Sequence, residues 1–353
     1  MIAPFTYVSN PGRVIFGSGT IDQLSEEADR LGMERVLVLA TPQQEGAARD
    51  IADRLSERCA GIFAGAVMHT PVEVTEQAMR VVQAQAVDGI VSIGGGSTIG
   101  LGKAIALRTD LPQIVIPTTY AGSEMTPILG ETKDGAKTTQ SSARILPETV
   151  IYDVDLTLSL PASLSGTSGI NAIAHAVEAL YAQNRNPVTS LMALEAIAAL
   201  AEALPRIAQD PADRDARASA LYGAWLCGTC LGAVGMALHH KLCHVLGGSF
   251  DLPHAETHTV VLPHALAYNA PAIPEVMTRL QAVLGPNPAA ALHKLGHDVG
   301  APRSLRDLGM AEACVDEAVS RALANPYWNP RPLESAPLRA LISRAWAGDG
   351  PSI

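Results

Sequence analysis

The sequence predicts a two-part chain: an α/β N-terminal domain with a mainly parallel, Rossmann-like sheet, then an all-α C-terminal domain. Three observations carry this expectation. Short β-branched runs alternate with Ala-rich amphipathic segments in the first half, the pattern of a parallel sheet covered on both faces. A glycine-rich turn, Gly94-Gly95-Gly96-Ser97-Thr98, joins one of those runs to the segment after it. Beyond Asp155 strand-like runs almost vanish and long Ala/Leu segments take over. The change of character places a boundary near Val154–Thr157, with domains at 1–155 and 156–353.

In chain order, RVLVLA (Arg35–Ala40), GIFAGAV (Gly61–Val67), GIVSIGG (Gly89–Gly95) and QIVIPTT (Gln113–Thr119) read as buried strands. Amphipathic helices are expected over Gln43–Ser56, Val74–Gln85 and Ser97–Leu107. GETKDGAKTT interrupts the alternation, and its Asp134–Gly135 pair suits the positive φ angles of a hairpin turn. TVIYD (Thr149–Asp153) is the last strand. Helices are then expected over Leu164–Ala182, Pro187–Ala208, Ala216–Leu231 and Val234–Leu246, punctuated by Pro and Gly. NPYWNPRPL reads as a loop between two late helices, and no internal repeat or low-complexity segment is visible.

Composition narrows the function. The 353 residues are 48% apolar, enough for a sizeable core, and only 4% aromatic. The net charge is −10 and no basic run occurs, which argues against nucleic acid as a partner. No apolar run of membrane-spanning length and no secretory signal are read from the sequence, so no membrane partner is expected. Five cysteines are an odd number, unlike a disulfide framework, and suit a reducing cytoplasm. Cys227 and Cys230 form a CxxC inside an apolar helical run and read as buried neighbours rather than a redox pair.

The turn at Gly94, Gly95 and Gly96 has no Cβ atoms to keep a ligand away from the backbone, and Ser97 and Thr98 open a helix. Free N–H groups and a positive dipole end there suit a pyrophosphate. Neither GxGxxG nor the P-loop is matched, and a tight turn that binds nothing is the plain alternative. The hydroxyl-rich PTTYAGSEMT, with Thr118 and Thr119, and FGSG (Phe16–Gly19) also follow strands, at the sheet edge where α/β ligands bind. After RVLVLA stand Thr41 and Pro42, neither acidic nor basic, so NADH and NADPH both remain open.

Five of the ten histidines lie between Ala237 and His258. His240 and His244 share a helical face at i, i+4, and His254 follows a short loop. In TSGINAIAHAVEALYA, Asn171, His175 and Glu178 form a polar stripe on an otherwise apolar helix. Three histidines and a carboxylate would hold a divalent metal, but Asn171 is neutral. Metal-free imidazole chemistry is therefore expected, although Asp251 and Glu256 are near enough in sequence to substitute. The plain alternative is that histidines cap and fill; His258, His264, His69, His293 and His297 are assigned to it individually.

The GGGS turn, PTT…GSE, Lys137 with Asp153 sixteen positions on, TSG-N-AxxHAxEA and HxxxHxLG…PH together resemble the iron-containing alcohol dehydrogenase superfamily, with its dehydroquinate synthase-like fold. The resemblance covers almost the whole chain. It implies a nucleotide-binding domain, a helical domain and an active site in the cleft between them. The family's metal ligands, an Asp and three His, fall here on Asn171, His175, His240 and His254, and His244 matches a further active-site histidine. Gly94 to Thr98, Thr118 and Thr119 are expected to hold the cofactor, with Thr41 nearby and Lys137 towards the ribose and nicotinamide. PTTYAGSEMTPILGET, NAIAHAVEALYA and ALHHKLCHVLGGSFDLPHAETH are most similar to the branch that reduces maleylacetate.

That branch implies reduction of a conjugated double bond by NADH or NADPH, giving 3-oxoadipate in aromatic-compound degradation. The expected substrate is a dicarboxylate, and hydride addition leaves an enolate that imidazolium groups can meet. His175, His240, His244 and His254 are expected to line the pocket, with His244 or His254 as the acid; His239, Lys241 and Arg144 are cationic candidates for the carboxylates. The family also implies a homodimer. The rivals are a metal-dependent alcohol or polyol dehydrogenase, a dehydroquinate synthase-like lyase and a non-catalytic nucleotide-binding protein.

Overall fold

The computed structural model describes residues 5–7, 12–133 and 136–352; the side chains of Ala136 and Lys137 lie outside the described set, as does the expected Asp134–Gly135 turn. The chain divides into two compact units, 9–160 and 161–353, with Phe5–Tyr7 counting with the second. The break falls at Leu160/Pro161 rather than after Asp155. The 3-10 turn Val154–Thr157 stays with the first unit because the Asp153 carboxylate accepts from the backbone N–H groups of Gly19 (3.1 Å), Ile21 (2.9 Å) and Asp155 (3.0 Å). Leu156 packs on the same core.

The first unit is built from β1 (Arg13–Gly17), α1 (Leu24–Arg30), β2 (Val36–Leu39), α2 (Glu45–Leu55), β3 (Cys59–Phe63), α3 (Val72–Ala84), β4 (Gly89–Gly94), α4 (Gly96–Thr109), β5 (Gln113–Pro117), β6 (Ile128–Lys133), β7 (Ala136–Ser141) and β8 (Thr149–Asp153). Six strands form one sheet in the order β1-β8-β5-β4-β2-β3, and every neighbouring pair is parallel. The two-residue period of a strand explains why these runs are apolar throughout. In β2, Val36 and Val38 join a core with Leu24, Ala28 and Ile51, while Leu37 and Leu39 join a second core with Leu101 and Ile105. Each fully buried aliphatic side chain of this kind contributes about 1.5–3 kcal/mol. β6 and β7 form a separate antiparallel pair, Ile128 opposite Ser141. The strand expected to Val67 leaves the ladder after Phe63, where Ala66 N–H turns to the Ala40 carbonyl (3.0 Å).

The second unit contains α5 (Ala162–Tyr181), α6 (Pro187–Gln209), α7 (Arg214–Ala233), α8 (Leu238–Phe250), α9 (His254–Asn269), α10 (Pro274–Leu284), α11 (Pro288–Asp298), α12 (Val315–Ala324) and α13 (Ser335–Ala347). No strand occurs among its described residues. α5 is the central helix, buried at every position from Gly169 to Tyr181, with α6, α7 and α9 packed on it. Asn186 caps α6 by accepting from Thr189 N–H (3.0 Å), and Pro187 supplies a fixed φ at the first helical position. α6 corrects one expectation: its 23 residues are long and apolar enough to cross a bilayer by length and composition. Here it is a packed helix against α5 and α7. The five cysteines are free thiols, and burial pushes Cys230 up to about 12, in keeping with packing.

The helix expected from Val234 begins only at Leu238. Two side chains hold the backbone open before it. Asn184 Oδ1 accepts from Gly235 N–H (2.9 Å), and the Glu178 carboxylate accepts from Ala237 N–H (2.7 Å).

Candidate active site

In the first unit β4 delivers the chain to Gly94, whose φ of +145° lies where only glycine is at ease. A Cβ on Gly94 would stand 2.6 Å from Gln44 Oε1 and 2.7 Å from Thr98 Oγ1. A Cβ on Gly95 would stand 2.9 Å from Thr119 Cγ2, whereas one on Gly96 would meet nothing within 4 Å. The turn is thus walled by Gln44, Thr98 and Thr119 and open at Gly96, where α4 starts. No side chain caps that helix and no acid lies in its first turn. The free N–H groups and positive dipole end of such an uncapped N-terminus suit an anion. Ser97 is half-buried in the same turn, and Thr98 Oγ1 is buried without a hydrogen-bond partner among the described residues.

Gln44 was not singled out from the sequence. It donates to Thr118 Oγ1 (2.8 Å) and stands 3.4 Å from Thr41 Oγ1, so it ties the end of β2 to the end of β5. Only the pairing of those strands with β4 makes it a neighbour of Gly94. Lys103, on α4, is wholly buried. Its Nζ donates to Ser123 O, Thr126 O (2.7 Å), Thr126 Oγ1 (2.9 Å) and Ile128 O (3.1 Å). Burial pushes its pKa down to about 7, opposed by Glu124. Lys137 lies in β7, its side chain outside the described residues. Arg144 is exposed on the 3-10 turn Ala143–Ile145, with its Nε 3.8 Å from Asp110 Oδ1.

In the second unit, α5 supplies Asn171, His175 and Glu178, α8 supplies His239, His240, Lys241 and His244, and α9 supplies His254 and His258. Glu178 organises them. Its carboxylate accepts from Ala237 N–H, His239 N–H and His240 Nδ1, each at 2.7 Å. A neighbouring helix thus caps α8, whose own N-cap residue, Ala237, has no side-chain oxygen. Burial pushes the Glu178 carboxyl up to about 7, while the three N–H donors favour its ionised form. With Nδ1–H of His240 committed to an ionised Glu178, its Nε2 is an acceptor. His175 Nδ1, 2.8 Å away, must then be the donor.

His239 and His258 lie deeper. His239 Nε2 and His258 Nδ1 are 2.9 Å apart, and both rings are fully buried. Burial first, then the neighbouring imidazoles, push both far below the usual histidine range. Burial pushes His240 down to about 3. The inner imidazoles are therefore neutral at physiological pH. His239, expected to act as a cation for a substrate carboxylate, is instead a neutral core ring. His240 stays in the cluster, but as a neutral ring. His244 and His254 are the exposed rings of the group. Lys241 is half-buried, with Nζ 5.5 Å from the Tyr327 ring centroid.

His258 belongs to the cluster, 4.3 Å from His254 and 5.1 Å from His240 between ring centroids. Its i+4 spacing from His254 on α9 was the signal that assigning it to the core passed over. His264, His293 and His297 form a separate group, with centroids 6.3 and 4.6 Å apart along the row. Burial pushes His264 down to about 4. His69 is exposed in the first unit.

The family's metal position meets a mixed donor set. Asn171 Oδ1 is buried without a partner among the described residues, and Glu178 behind His240 is the carboxylate that usually backs a metal-bound imidazole. But Asn171, His175, His240 and His254 offer no anionic donor, and the His175 and His240 nitrogens are bonded to each other. The set is short of charge for iron(II), so it does not fit that ion well. A second convergence, His239, Cys243 and His258, has its donor atoms within 4.8 Å of one another. Burial keeps the Cys243 thiol protonated, so that set is uncharged too.

A dinucleotide-type α/β unit followed by a helical unit carrying an imidazole site defines the class. Residues 11–154 match the family model described as iron-containing alcohol dehydrogenase, and 165–346 match that of the Fe-containing alcohol dehydrogenase family, C-terminal. The chain belongs to the iron-containing alcohol dehydrogenase family. It is 56% identical over 348 residues to the maleylacetate reductase of Rhizobium sp. (strain MTP-10005), covering 99% of each chain. It is 53% identical over 345 residues to that of Sphingobium indicum, covering 98% of each. The crystal structure of maleylacetate reductase from Agrobacterium tumefaciens superposes with a TM-score of 0.96 at 56% identity, over 99% of this chain and 100% of that one. An iron-containing alcohol dehydrogenase from Corynebacterium glutamicum gives 0.95 at 41% identity, over 99% of both.

Proposed function

We infer that this chain is a maleylacetate reductase, which uses NADH or NADPH to reduce the conjugated double bond of maleylacetate to 3-oxoadipate. The observation that carries the reading is an imidazole site with a neutral amide at the family's anionic ligand position, in a chain 56% identical to a maleylacetate reductase. The reduced nicotinamide supplies the hydride, and its pyrophosphate is held at Gly94–Thr98, with Thr118, Thr119 and Gln44 alongside.

The substrate is a dicarboxylate whose alkene is conjugated to a ketone. Hydride addition to the alkene carbon β to the ketone leaves negative charge on the ketone oxygen, and a proton must then reach the α carbon. The inner rings His239, His240 and His258 are neutral and engaged with Glu178, His175 and each other, so they hold the framework of the site without titrating. The proton comes from an exposed ring, His244 or His254. One hydride and one proton give the saturated product, and no step passes through a metal. Lys241 is the remaining cation of the helical unit proposed for a carboxylate. The enzyme works as a homodimer in the cytoplasm, independently of nucleic acid and membrane.

The test is NADH oxidation with maleylacetate, with and without a strong chelator. Turnover within about twofold of the untreated value is expected. Abolition by chelation, restored by iron or zinc, would instead make the chain a metal-dependent dehydrogenase. Absence of net NADH oxidation would leave the lyase reading. For the cradle, Gly94→Ala is expected to weaken NADH about tenfold or more, roughly 1.4 kcal/mol, because its Cβ collides with Gln44 and Thr98. Gly96→Ala faces open space and should bind nearly as the parent does. Equal affinities in a fluorescence titration would remove the cradle from the proposal.

A further inference from the structure

The segment NPYWNPRP, read from sequence as a loop, joins α12 to α13 and is pinned to the histidine-bearing helices. Asn329 exchanges amide hydrogen bonds with Asn269 of α9 (3.0 and 2.7 Å), and its Oδ1 also accepts from Leu238 N–H at the start of α8 (3.4 Å). Arg331 donates to Tyr268 O (2.7 Å) with its guanidinium 4.3 Å from the Tyr268 ring centroid, and Tyr268 OH donates to Pro332 O (2.7 Å). Two residues before that anchor, Tyr327 reaches His244: its hydroxyl is 3.0 Å from Nδ1. The anchors at Asn329, Arg331 and Pro332 tie the segment to α8 and α9, and its path brings the Tyr327 hydroxyl to this ring.

We propose that Tyr327 is the positioning residue for the proton donor, holding the His244 ring by Nδ1 so that Nε2 is the nitrogen presented to substrate. This rests on the reading of His244 as the acid. A phenol suits the task because it can both donate and accept. While His244 is protonated, Nδ1–H donates to the Tyr327 oxygen. After Nε2 has given its proton to the substrate carbon, Nδ1–H can remain in place. The Tyr327 O–H can also rotate and donate to a bare Nδ1 when the ring is reprotonated at Nε2. Nδ1 therefore keeps the Tyr327 hydroxyl as a partner through the whole cycle. A carboxylate there would hold the imidazolium form more tightly and slow the transfer.

Tyr327→Phe removes the hydroxyl and keeps the ring over Lys241. The expected result is a fall in kcat of about tenfold or more, with KM for maleylacetate and the affinity for NADH nearly unchanged. Ring 15N signals of histidine-labelled protein should show the His244 tautomer mixture change, a readout that loss of packing alone would not give. Unchanged kcat overturns the proposal. So does a rise in KM alone, which would make the hydroxyl a substrate contact. If the parent protein fails to turn over maleylacetate, the functional reading fails, while an unaltered His244 tautomer in the variant separately refutes the positioning role.

Discussion

Glu178→Leu should unfold the helical unit more easily and stop catalysis. The leucine leaves three inward-pointing donors, Ala237 N–H, His239 N–H and His240 Nδ1–H, without their acceptor. Orphaning a buried donor costs about 1–3 kcal/mol each, so a loss of ~3 kcal/mol or more is expected. For a unit of this size each kcal/mol moves Tm by roughly 2–4 °C, which makes the shift about 6–12 °C. Glu178→Gln separates the two consequences. Its single amide oxygen can take the Oε1 place and accept from His239 N–H, or the Oε2 place and accept from Ala237 N–H and His240 Nδ1–H, so Tm should fall less than in the leucine variant. With the oxygen at the Oε1 place, its NH2 group would face His240 Nδ1 and force the opposite tautomer, which reverses the donor order towards His175. A wrong tautomer in a catalytic hydrogen-bond chain costs ~10² to 10⁴ in rate. Thermal melts and kcat of both variants check this; a Gln variant as active as the parent would remove Glu178 from the catalytic account.

Asn171→Asp should make the protein depend on a divalent cation. Asn171 is buried one turn before His175, with Oδ1 unpartnered among the described residues. A carboxylate at that place has no cationic partner of its own, and an uncompensated buried charge costs about 3–5 kcal/mol. Zinc or iron(II) supplies the compensation, together with the imidazoles of His175, His240 and His254. The variant should melt lower than the parent without metal. It should recover about 2.7 kcal/mol when the ion is present at a hundred times its Kd. The parent should change little under the same addition. Equal metal response in the two proteins would show that charge at residue 171 is not what decides metal binding.

The parallel strands were legible because each is apolar on both faces, and a run such as VLVL admits few other readings. The cradle was legible because three glycines ahead of Ser97 and Thr98 demand an unusual turn. Asn171, His175, His240, His244 and His254 were legible through helical spacing and the family resemblance. Spacing could not show which imidazoles are charged. His239 and Lys241 are two residues apart and both basic by type, yet one is sealed in the core and the other half-exposed. Gln44, Lys103 and Tyr327 were illegible for the same reason: each acts through partners from another element. The start of α8 was misplaced because its cap comes from α5, fifty-nine residues earlier for Ala237, where no local pattern records it.

The Lys103 clamp bears on how the first unit fails under stress. Its ammonium is desolvated and surrounded by backbone and hydroxyl oxygens of residues 123–128. Releasing any one oxygen without water entering exposes a charge to hydrocarbon, so the shell is given up as a whole. Heat or denaturant should therefore detach the stretch after Thr119 from α4 in a single cooperative step, with no gradual fraying of the wall beside the glycine turn.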